Sequence, residues 1–130
     1  MAHMAPTLAD IERLARAEAA ALPEPFRAYL SEIAFMVTDF PDEEVMAEMG
    51  LDSPFDILGL YRGHPVGSDA AGATFRMPPV IHLYRRPILD EWAAGEDSLE
   101  AIIRHLIVHE VGHHFGLTDA QMEEIEAGLR

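Results

Sequence analysis

The residues best suited to chemistry are His109-Glu110-Val111-Gly112-His113, followed directly by His114-Phe115-Gly116-Leu117-Thr118-Asp119. His109 and His113 are four apart, so on a helix both rings leave one face about a turn from each other. Two imidazoles at that spacing can hold one metal ion. Glu110, beside the first, can reach a water on that ion without binding it. Gly116 suits the left-handed residue that ends a helix and lets the chain reverse. Three residues on, Asp119 can swing its carboxylate back to the same metal. Two histidines, one carboxylate and an open fourth position describe a catalytic rather than a structural zinc site. A His-Glu-x-x-His arises by accident in roughly one chain in thirty of this composition and length, whereas the pattern with Gly116 and Asp119 arises in roughly a few per ten thousand. The longer pattern therefore carries the reading. The competing reading makes His109 and His113 core histidines of an amphipathic helix and Asp119 a helix-capping acid.

The elements that must position these residues follow from capping and periodicity. Asp97 or Ser98 caps a helix from Leu99 to about Phe115, and Thr118 with Gln121 offers a capping box for a last helix, Asp119 to Ala127. Upstream, Thr7 and Asp10 open a helix with Leu8, Ile11, Leu14 and Ala15 on one face, ended by Pro23-Glu24-Pro25. A short helix over Phe26–Leu30 and an acidic one over Asp42–Met49, stopped at Gly50, are predicted. Strands are expected over Ile33–Thr38, Ile57–Tyr61 and Val80–Tyr84, and a short helix from Pro87 through Trp92. Gly63 to Ala73 reads as a surface loop. The expected fold is α+β, about three strands packed against helices in one domain over residues 1–130, with the site helix near the C-terminus.

Composition narrows the partners. Nine basic residues, all arginine, stand against 23 acidic ones, a net charge of −14. That balance repels phosphate backbones and anionic bilayers, so no nucleic acid and no membrane partner is expected, while cations are favoured. With no cysteine, zinc can be held only by histidine and carboxylate. The N-terminus lacks the charged start and apolar stretch of a signal peptide, which makes a cytoplasmic location the default. Met4 offers a second start, so residues 1–6 are expected to be disordered or an appended leader, and His3 is left out of the site.

HEVGHHFGLTD at residues 109–119 resembles the zincin-like minimal metalloproteases of bacteria. Ile57 to Gly63 is similar to that family's LLGLY-x-G strand, and Val80 to Pro87 to its strand leading into an RP segment. The resemblance covers roughly residues 30 to 125. It implies a zincin-type α+β fold, one zinc ion, ligands at His109, His113 and Asp119, and a catalytic base at Glu110. The spacing is also similar to the metzincins, but the third ligand here is an aspartate. Only eleven residues follow Asp119, and Met122 is expected in the core at the helix seam rather than in a methionine turn.

The function expected is a zinc-dependent peptidase for short or unfolded peptides. Alternatives are a catalytically weak metal-binding interaction module and a hydrolase of a non-peptide amide. Val80–Tyr84 is expected as the edge strand that aligns a peptide. Tyr84, His82 and His114 are the candidate oxyanion donors. His105, one turn before His109, is a candidate outer-sphere contact or a surface residue, and Glu123 to Glu126 is expected to be a solvated face.

Overall fold

The computed structural model describes residues 3–63 and 79–129, so the expected Gly63–Ala73 loop lies, from residue 64 onward, outside the described residues. Helix α1 (Leu8–Ala20) begins at a capping box in which Thr7 and Asp10 bond each other's backbone N–H. Its buried face is Ile11, Ala15 and Ala19, whereas Leu8, in the first turn, is 41% exposed. Helix α2 (Phe26–Leu30) follows, then strand β1 (Ala34–Thr38) and helix α3 (Glu43–Met49), which Asp42 caps and a left-handed Gly50 ends.

A 3-10 turn at Pro54–Asp56, capped by Ser53, occupies the run before strand β2 (Gly59–Arg62), so this strand starts two residues later than expected. Strand β3 (Val80–Tyr84) leads directly into helix α4 (Arg85–Ala94). The long helix α5 (Leu99–His114) and the last helix α6 (Asp119–Ala127) complete the α+β fold that the sequence led us to expect. No helix among the described residues is long and apolar enough to cross a membrane.

The sheet has the order β1-β3-β2, with β3 parallel to β1 and antiparallel to β2. This overturns the expectation that β3 is an edge strand. Both of its sides are paired, which leaves no row of backbone groups for a peptide; among the described residues the edge beside α5 is β2. The alternation within β3 is as expected. Ile81 and Leu83 are fully buried and join one core with Ile11 and Ala15 of α1 and Ile103 and Ile107 of α5. Arg104 of α5 donates to Glu18 of α1 at 2.7 Å, a partly buried ion pair that fixes the two helices laterally.

Candidate metal centre

The sharp turn between α5 and α6 is encoded locally. Gly116 has φ +72°, its N–H bonds the His113 carbonyl, and the Leu117 N–H reaches back to the Gly112 carbonyl, both at 3.0 Å. That pair of bonds is the Schellman arrangement, which needs a left-handed residue that glycine supplies without strain. Thr118 then caps α6 in a full capping box with Gln121. The helices return side by side because Gly112 has no side chain. A Cβ there would overlap Met122, lying 2.9 Å from its Cγ. Met122 is fully buried, at the seam where it was expected.

Asp119, Met122 and Glu126 stand at i, i+3 and i+7, one face of α6, and that face runs antiparallel down α5. Asp119 Oδ1 lies 3.7 Å from His113 Nε2. At the other end, Glu126 accepts from His109 Nε2 at 3.2 Å and meets His105 Nδ1 at 3.0 Å. His109 is therefore turned along α5 toward His105, the two rings 3.9 Å apart, rather than toward His113 and Asp119. The three-donor cluster formed among the described residues is His105, His109 and Glu126, with ligand atoms within 4.8 Å of one another. Glu126 corrects the expectation of a solvated acidic face: it is 8% exposed, because its position on α6 points at α5 while Glu123 and Glu124 point outward. The i, i+3, i+7 spacing from Asp119 was the available signal.

Glu110 leaves α5 on another side. Its carboxylate accepts the Tyr61 backbone N–H of β2 at 3.3 Å. It borders an open hollow of about 400 Å³ lined by Tyr61, Arg62, Gly63, Glu110, His113 and His114. Burial pushes the Glu110 carboxyl above the usual carboxylate range, against the opposing pull of the Tyr61 N–H and then of His113 and His109. Such a shift makes a carboxylate a stronger base.

His114 stacks on Tyr29, ring centroids 4.9 Å apart, and burial holds its pKa below the ordinary value. Tyr61, which sequence reasoning did not single out as a site residue, pairs its hydroxyl with that of Tyr29; burial and this partner push its pKa up. His82 and Tyr84 line a different hollow with Asp42 and Arg62. His114 is thus the one of the three oxyanion candidates that lines the Glu110 hollow.

With this geometry the sequence comparison is decisive. The profile of the zincin-like metallopeptidase family matches residues 30–129. The chain belongs to that family. A search of curated proteins gives no match. Membership in the zincin-like metallopeptidases implies a hydrolase that works with zinc. Imidazole with carboxylate is a zinc donor set whose neighbouring ligands stand about 3.3 Å apart on a tetrahedral ion. His113 and Asp119, at 3.7 Å, come close to that, while His109 must rotate away from Glu126 to join them. His113 and Asp119 have exposed side chains, so small rotamer changes can bring them to one ion.

Proposed function

We propose that this zincin-like protein is a zinc peptidase for short or unfolded peptides, with His109, His113 and Asp119 as ligands and Glu110 as general base. The observation that carries the reading is the position of Glu110. It is a half-buried carboxylate beside His113 in one hollow, hydrogen-bonded to the side of β2 that is unpaired among the described residues.

Zinc, when bound, polarises a carbonyl and lowers the pKa of water toward ~7. The rest falls to the chain. The outward backbone groups of β2 offer pairing to an extended peptide, at the edge next to α5. A peptide strand pairing there competes for the Tyr61 N–H, which frees the Glu110 carboxylate to take a proton from the attacking water. Glu110 then passes that proton to the departing amine. His114 is the side chain placed to donate to the developing oxyanion. The openness of the hollow suits short or unfolded chains, and the −14 charge disfavours nucleic acid and anionic membrane as partners.

The test is a mixed peptide library read by mass spectrometry, together with metal analysis. Glu110→Gln is expected to keep zinc and lose cleavage; unchanged cleavage defeats the role of Glu110. A metal-binding interaction module is the second reading, favoured by the exposure of His113 and Asp119, and stoichiometric zinc without cleavage of any peptide would select it.

A further inference from the structure

We infer that His105, His109 and Glu126 form a second ligand set for a divalent metal, which competes through His109 with the set His109, His113 and Asp119. The inference deepens the peptidase reading and rests on it only for the competing set.

Three observations carry it. First, the donors already converge, with His105 Nδ1 and His109 Nε2 at 3.0 and 3.2 Å from the two oxygens of one carboxylate. Neighbouring ligands of a tetrahedral ion are about 3.3 Å apart, so only small adjustments separate this cluster from a His-His-Glu site.

Second, Glu126 is the one buried charged residue among the described residues. A buried carboxylate is costly unless a cation or strong donors balance it. Its hydrogen-bond partners here are the two imidazoles of His105 and His109. A divalent ion between the three groups, whose ligand atoms lie within 4.8 Å of one another, would balance the buried carboxylate.

Third, the cluster is reachable. His105 and Glu126 line a hollow of about 240 Å³, with the carboxylates of Glu91 and Asp97 and the guanidinium of Arg104 on its walls. A cation can enter there, and the open side leaves room for water as the fourth ligand.

His109 Nε2 has a single lone pair, so it serves one ion at a time. An ion held by His105, His109 and Glu126 leaves His113 and Asp119 without their shared partner. The protein therefore binds one ion in either of two places, and only one of them adjoins the hollow of Glu110.

Zinc titration of the full chain, read by native mass spectrometry with a chelator competition for affinity, tests this. Wild type is expected to take up one zinc. His113→Ala is expected to keep one, because the second set is intact. Adding Glu126→Gln or, at an exposed position that tolerates change, His105→Ala should weaken that retained zinc at least about tenfold. Loss of all zinc from His113→Ala, or indifference of its zinc to both added substitutions, overturns the second set and leaves the peptidase reading standing. Two zinc ions on wild type overturn the competition. No zinc on wild type overturns both readings.

Discussion

The carboxylate of Glu110 and the backbone N–H of Tyr61, 49 residues apart in sequence, form one hydrogen bond that ties α5 to the outer side of β2. Its chemistry and its cost to stability are both measurable. Burial raises the Glu110 pKa, so in the metal-free protein the charged form is disfavoured in the folded state. The folded state then holds its proton to higher pH than the unfolded chain, and stability is lost as pH rises from the ordinary carboxylate value through the raised one. Glu110→Gln removes that charge and keeps an acceptor oxygen for Tyr61. It should melt higher than wild type at pH 7 without metal, and no differently below the carboxylate range. The same variant should lose about 10²-fold or more in peptide cleavage.

Gly112 is expected to resist even alanine. An alanine in a helix interior gains about 1 kcal/mol of propensity over glycine. Here the added methyl meets the fully buried Met122, and overpacking of that kind costs about 1–3 kcal/mol. Gly112→Ala should therefore destabilise, or at best break even, in urea unfolding. Combining it with Met122→Ala should recover part of the clash; additive losses would contradict the contact.

In a Glu126→Gln background, which disables the second ligand set, Asp119→Ala should lower zinc affinity by more than the roughly 10–100-fold typical of losing an outer-sphere partner. Its effect on folding should be small, about 0.3–1 kcal/mol from the loss of an acid in the first turn of α6. Chelator competition and thermal melting of the metal-free variant separate the two.

His82 governs a different pH range. Burial first, then the Arg62 guanidinium, lowers its pKa from 6.5. In this case the unfolded chain binds the proton more readily, so stability is complete above pH 6.5 and declines as pH falls through the depressed value. His82→Leu should flatten that part of the stability profile, and an unchanged slope would assign the loss to other groups.

Much of the site helix was legible because its signals are local. Ser98, Gly116, Thr118 and Gln121 fix helix ends through side-chain and backbone geometry within a few residues, and α6 begins and ends where the sequence placed it. Strand order was not legible. Val80, His82 and Tyr84 alternate with apolar residues as a one-sided strand should, and nothing in that pattern says whether neighbours pair on one side or two. Glu126 was obscured by its neighbours, since Glu123 and Glu124 make the run look uniformly solvated. Only the return of α6 against α5 selects one of the three for burial. The turn of His109 toward Glu126 likewise depends on tertiary contact, which spacing along α5 cannot supply.

The two kinds of donor come from different parts of the molecule. The imidazoles sit on α5, the helix most deeply packed in the core. Both carboxylates that approach them, Asp119 and Glu126, come from α6, a nine-residue helix fixed by a single fully buried side chain, Met122. Metal occupancy and attachment of the C-terminal segment are thereby thermodynamically linked: whatever ion the two helices share acts as a clasp, contributing about 2.7 kcal/mol at a hundredfold excess over its Kd. Amide exchange in α6 should slow on adding zinc well before that in α1 or β3 changes, so the last helix reports the metal.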